Sequence, residues 1–206
     1  WQGSDRCKNC AIRHLVLFAD VEQSMFDKMH LPIDDIKFEP GHRLYLQGDD
    51  TSFVYTIRSG LVKLVQRLPN GDRRIVRILG QGDLAGLESL DGASLDHDAI
   101  TMDHVRVCRI PKSVIATMRR DSPGLHKQIL QRWQKALHSA NAWITRLSTG
   151  NSKERVARLL MLLDETSEDA PFFLPTRDDV GAMRGIAPGS ANQATAELER
   201  IGCVRS

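Results

Sequence analysis

Several features that would assign a protein quickly are missing from this sequence. No run approaches the roughly 20 apolar residues a helix needs to cross a bilayer, so no membrane partner is expected. The opening WQGSDRCKNC lacks the charged-then-apolar pattern of a secretory signal. The chain starts on Trp1 rather than Met, so further residues are expected to precede it. Cysteine is scarce: Cys7, Cys10, Cys108 and Cys203 in 206 residues are too few for a disulfide scaffold. A reducing, cytoplasmic setting is therefore expected, and within it the close pair Cys7-x-x-Cys10 becomes informative. A net charge of +2 is too small to announce a nucleic-acid partner, so such an argument must rest on where the charges lie. No nucleophile–base–acid set, Walker loop or HExxH is present, and the sequence does not read as an enzyme.

What remains is 41% hydrophobic and 26% charged, ordinary for a globular protein, and long enough for one large or two small domains. From Glu39 to Pro111 the sequence punctuates like an all-β unit, with Gly at 41, 48, 60, 71, 80, 82, 86 and 92 between short β-prone runs. In LVKLVQRLPNGDRRIVRIL two such runs flank Asn70-Gly71, a hairpin signal because both residues tolerate positive φ. A barrel or double-sheet roll follows from many short strands joined this way. Val21–Met29 reads as a short helix ahead of it.

After Pro111 the period changes. Lys112–Arg119 reads as a short helix, and Ser122-Pro123 as the cap and first residue of a longer one. Along it Leu125, Ile129, Arg132, Ala136, Ala140, Trp143 and Leu147 recur at steps of three and four, a stripe suited to a partner helix or to the chain's own core. The partner reading, dimerisation through Leu125, Ile129, Ala136, Ala140, Trp143 and Leu147, is preferred. Ser148–Asn151 reads as a hinge, Ser152–Asp164 as an amphipathic helix, and 167–175 as a polar connection with a candidate strand at Phe172–Leu174. Thr176 and Asp179 resemble a capping box. A helix through Arg184, the turn Gly185-Ile186-Ala187 and a second helix from Pro188 to about Ile201 make a helix-turn-helix.

In this order the features resemble the CRP/FNR family of bacterial regulators over essentially the whole chain. The resemblance is carried by Gly41 to Gly60, Asn70-Gly71-Asp72, Gly82-Asp83-Leu84-Ala85-Gly86, Cys108-Arg109-Ile110-Pro111, and Thr176 to Gly181 with Gly185. It implies an α+β fold: a cyclic-nucleotide-binding-like β roll (a double-stranded β-helix) as sensor, a long dimerisation helix and a C-terminal winged helix-turn-helix. The divisions expected are an N-terminal Cys-containing segment (1–20), the roll (21–121), the long helix (122–148) and the DNA-binding head (149–206). The family continues into a small β wing where this sequence stops at Ser206, so the wing is expected to be missing. The resemblance further implies a homodimer on a palindromic operator, two reading helices about 34 Å apart, and contact with RNA polymerase.

For the signal, the family's cyclic-nucleotide branch holds phosphate with an acidic residue and an Arg-Ser pair after Gly82-Asp83. Here nothing from Ala85 to Thr101 is Arg or Lys, while Asp91, Asp96 and Asp98 add charge of the wrong sign, so cAMP is disfavoured. The FNR branch implies an iron–sulfur cluster, for which Cys7, Cys10 and Cys108 match three ligand positions. The third N-terminal Cys of that pattern is absent, Val16 or Phe18 standing in its place. The open alternatives are a cluster with a non-Cys ligand, a Cys7–Cys10 redox pair, haem, or no cofactor. Read without the family, Cys108 suits a small apolar core position.

For DNA, the resemblance makes the helix from Pro188 the reading element, with Asn192 and Gln193 facing bases. Asn and Gln can pair with adenine N6 and N7. Thr176, Arg177, Arg184 and Ser190 are the expected phosphate contacts. The Arg by which FNR-like members read guanine is missing, which predicts an atypical operator.

Overall fold

The computed structural model describes residues 17–18, 33–166 and 175–184, together with the helical positions 193, 196 and 200. Cys7, Cys10, Cys203, the expected helix Val21–Met29 and the expected strand Phe172–Leu174 lie outside the described residues.

Among the described residues, eight antiparallel strands form two four-stranded sheets. The strands are β1 (Asp34–Phe38), β2 (Arg43–Tyr45), β3 (Phe53–Ser59), β4 (Val62–Arg67), β5 (Arg73–Leu79), β6 (Leu84–Ala85), β7 (Asp98–Thr101) and β8 (Val105–Pro111). One sheet runs β1-β8-β3-β6 and the other β2-β7-β4-β5. This is the double-sheet roll expected from the spacing of turns. The β4–β5 hairpin closes at Asn70-Gly71, where Gly71 adopts φ 88° and the Leu68 amide donates to the Asp72 carbonyl at 2.8 Å.

Alternation along β4 decides what faces where. Val62 and Leu64 point between the sheets, into a core with Tyr55, Ile57, Leu79, Ala99 and Val107. Leu61, Lys63 and Val65 point outward, and opposite the Leu64–Val65 step the extra residue Val76 of β5 brings Ile75 to the same outer face as Ile78, the cross-strand partner of Lys63.

Among the described residues the roll is followed by the helices α1 (Lys112–Asp121), α2 (Pro123–Ser148), α3 (Ser152–Thr166) and α4 (Arg177–Arg184). Ser122 caps α2 by accepting the Leu125 amide, with Pro123 at the first position, as the sequence predicts. Asn151 and Glu154 cap α3 reciprocally: Asn151 Oδ1 accepts the Glu154 amide at 3.0 Å and Glu154 Oε2 accepts the Asn151 amide at 3.3 Å. The residues expected as a mere hinge therefore also fix where α3 begins.

Two further cores lie outside the roll. In one, α1 and the first half of α2 cover Val54, Leu84, Leu87 and Ile110, and the N-terminal pair Leu17 and Phe18 is buried there too. In the other, Leu61, Val65, Ile75 and Ile78 of the roll meet Leu147, Val156, Leu159 and Leu163 of α2 and α3, and Val180 and Met183 of α4. The head thus docks on the outer face of the β4–β5 hairpin. The approach is tight at Gly80, where a Cβ would stand 2.5 Å from the Thr166 carbonyl oxygen, so any side chain there displaces the end of α3.

Candidate sensor cleft, dimer seam and nucleic-acid interface

The long helix α2 carries two apolar faces. Leu125, Ile129 and Leu147 are buried within the chain's own cores, while Ala136 and Trp143 pack partly against them. Five of the six residues expected to dimerise are therefore wholly or partly packed within one chain. The face left open carries Leu130 (56% exposed), Trp133 (38%), Leu137 (63%) and Ile144 (62%). With the half-buried Ala140 these stand at 130, 133, 137, 140 and 144, a 3-4-3-4 spacing that suits a two-stranded coiled-coil seam. Of the six, Ala140 alone falls on it.

Arg132, the polar interruption of the expected stripe, also finds a role. It bounds a small, open cleft between β5, the Gly82-Asp83 turn and α2, lined by Arg77, Leu79, Asp83, Leu84, Leu87, Lys135 and others. Arg132 Nη1 donates to the Gly82 carbonyl at 3.3 Å and Lys135 pairs with Asp83 at 2.8 Å. Burial holds the Arg132 guanidinium below its usual pKa, opposed by Asp83. Behind the cleft, Glu88 Oε1 and His97 Nδ1 stand 3.8 Å apart, too far for a hydrogen bond. Burial pushes the Glu88 carboxyl up, but His97 and Arg77 outweigh it and hold it below the usual carboxylate range. Burial, reinforced by Glu88, drives the Tyr45 phenol well above its ordinary value. Arg77 Nε, Glu88 Oε1, His97 Nδ1 and the Tyr45 hydroxyl are all buried without a hydrogen bond, an unusual density of unsatisfied groups for one side of a roll.

The cations facing segment 85–101 come from β5 and α2, so the sequence scan of that segment could not find them. The available signal was Arg77, two residues before the inward Leu79 on a strand of period two. One carboxylate thought to repel an anion is already matched. Asp98 accepts the Gln47 amide at 2.8 Å and pairs with Arg67 at 2.8 Å; burial raises its pKa, but these partners hold it below the usual range.

Cys108 is a half-buried cysteine on β8, packed against the core that buries Leu17 and Phe18. Its apolar setting agrees with the core reading, and among the described residues no group of three or more His, Cys, Asp or Glu is placed to hold a metal ion. Phe18, one of the two residues standing where a further thiolate would be expected, is 4% exposed within that core. The described residues therefore do not by themselves fit an iron–sulfur cluster.

In the head, Thr176 is exposed and its Oγ1 accepts the Asp179 amide at 3.2 Å, which is half of the expected capping box. The other half is not formed, because the Asp179 carboxylate bonds Lys63 Nζ at 2.5 Å instead. Arg177 and Arg184 are the end residues of α4; their side chains, and all of Ser190 and Asn192, lie outside the described residues. Gln193, Ala196 and Arg200 are helical and exposed, and steps of three and four put them on one open face.

Comparison with known proteins agrees with this architecture. Residues 35–122 match the family described as the cyclic nucleotide-binding domain. The chain is 27% identical over 187 residues to the fumarate and nitrate reduction regulatory protein of Vibrio cholerae, covering 87% of this chain and 75% of that protein. It is 24% identical over 196 residues to a CRP-like cAMP-activated global transcriptional regulator of Mycobacterium tuberculosis, covering 92% of this chain and 88% of the relative. The structure of FixK2 from Bradyrhizobium japonicum superposes with a TM-score of 0.73 over 84% of this chain and 87% of that one, at 23% identity. In the roll, the long helix and the regulators that align along most of its length, the chain is similar to bacterial transcription regulators of the CRP/FNR type.

Proposed function

We propose that this chain is one subunit of a homodimeric, cytoplasmic, DNA-binding transcription regulator that responds to redox state, oxygen or a related gas through its roll. The observation that carries this reading is the open 3-4-3-4 seam on α2 between a sensor roll and a helical head. Pairing two seams would bury Trp133 and Leu137 and set two heads about a two-fold axis, as a palindromic operator needs. In the head, the exposed Gln193 supports base reading, with Asn192 beside it in sequence, while Thr176, Arg177, Arg184 and Ser190 hold phosphate. An activator of this build would also touch RNA polymerase. A mobility shift on the gene's own upstream DNA is expected to give a sequence-specific complex that weakens steeply with salt. No such shift in any redox state would leave a protein-interaction module of the same fold.

The sensing chemistry proposed uses the thiols of Cys7, Cys10 and Cys108, in a manner closer to the FNR branch than to the cyclic-nucleotide branch. Supporting it, Leu17 and Phe18 anchor the N-terminal segment in the core that Cys108 flanks. Seven residues from Cys10 to Leu17 span at most roughly 25 Å. Protein purified without oxygen distinguishes the forms. A brown band bleached by air marks an iron–sulfur cluster, a Soret band marks haem, and a colourless sample with ample iron and sulfide leaves thiol exchange. If Cys7→Ser and Cys108→Ser both leave the response unchanged, the cysteine reading is wrong.

A second reading rests on the cleft. Arg77, Arg132 and Lys135 beside unsatisfied polar groups favour a small organic anion as signal. A cyclic nucleotide is the less favoured anion, because the Arg-Ser pair of that branch is missing from segment 85–101.

A further inference from the structure

Lys63 and Asp179 are 116 residues apart in sequence, one on the roll and one on the head, yet their side chains meet at 2.5 Å and are only 18% and 14% exposed. Lys63 lies on the outward face of β4 opposite Ile78, beside the core formed with Val180 and Met183 of α4. Asp179 lies in the first turn of α4, three residues after the exposed Thr176, and Asp178 beside it is exposed. On a helix meant to approach phosphate, two adjacent carboxylates are the wrong charge. The acid Asp179 is the one the roll neutralises.

We propose that the Lys63–Asp179 pair is a charge mask, by which the roll covers a carboxylate that would otherwise repel DNA from the start of the helix-turn-helix. The inference rests on the DNA-binding reading above and assigns a role in it to Lys63, a residue of the sensor. With the head docked, α4 starts at the exposed Thr176 with one carboxylate neutralised. With the head undocked, the Asp179 carboxylate stands without its counter-ion within a Debye length, about 10 Å at 0.1 M salt, of any phosphate bound there. Docking onto the roll is thereby coupled to DNA affinity through this pair.

The test compares wild type, Lys63→Ala, Asp179→Asn and the double variant on the gene's own upstream duplex and on a non-specific duplex of equal length at 0.1 M salt. Lys63→Ala should weaken both complexes about fivefold, with the loss shrinking below about twofold at 0.5 M salt. Asp179→Asn should stay within about twofold of wild type, and the double variant should return to that range, because the charge to be masked is gone. A double variant as weak as Lys63→Ala would make Lys63 an ordinary phosphate contact and overturn the mask. Lys63→Ala binding as well as or better than wild type overturns it also. Absence of binding by wild type to either duplex is a different failure, that of the DNA-binding reading. Amide exchange of free protein supplies a readout independent of DNA: Lys63→Ala should speed exchange in α4, and unchanged protection there counts against the coupling.

Discussion

Leu137→Glu is expected to turn the protein from dimer to monomer without unfolding it. Leu137 is 63% exposed in the single chain, so the substitution removes little intramolecular packing. In a paired seam it would place two carboxylates in an apolar interface across the two-fold axis. Like charges brought together in this way cost several kcal/mol, and about 3 kcal/mol weakens dimerisation more than about 100-fold. Sedimentation at micromolar concentration should show one chain per particle, the melting of the roll should be retained, and operator affinity should fall with the loss of the second head. Leu125→Glu serves as the contrast. Leu125, on α2, is fully buried in the core shared with α1 and the roll, so a charge there would unfold the chain rather than split a dimer. A Leu137→Glu protein that stays dimeric would place the interface on another surface.

Leu159→Ala should produce the largest stability loss among single truncations in α3. Leu159 is fully buried where the hairpin of the roll, the end of α2, α3 and α4 meet. Truncation there costs about 3 kcal/mol from lost burial and the cavity left behind. For a chain of this size that corresponds to a fall in Tm of roughly 6–12 °C. Its neighbour Met161 is 63% exposed on the opposite side of α3, and Met161→Ala should lie within about 0.5 kcal/mol of wild type. Because Leu159 belongs to the core on which the head docks, its truncation should also raise amide exchange in α4 and the outer face of β5 together. Equal melting of the two variants would mean that this core does not hold head and roll together.

Local signals in the sequence proved sufficient for local structure. Asn70-Gly71 marked the hairpin, Ser122-Pro123 the start of α2, and the glycine spacing the roll, since each depends on backbone conformations that only a few residues adopt. Placement of the working groups was less legible, because it depends on packing. In α2 the steps 125, 129, 136, 143, 147 and 130, 133, 137, 140, 144 interleave on one helix. Periodicity finds two apolar stripes but does not say which one the chain's own roll covers. Arg77 and Arg132 meet in one cleft only because a strand and a helix distant in sequence pack together. Asp179 carried a capping signal that was half fulfilled, its carboxylate being taken by a partner 116 residues away. The thiols Cys7 and Cys10 were found by spacing alone, and only Cys108 lies among the described residues.

The most direct measurement of the central claim is the mass of the complex formed on the gene's own upstream duplex, taken for wild type and Leu137→Glu side by side. The account predicts two wild-type chains per duplex at salt low enough for binding, and at most one weakly held chain for the variant. Two variant chains bound with wild-type affinity, or a wild-type complex of one chain per duplex, would contradict it.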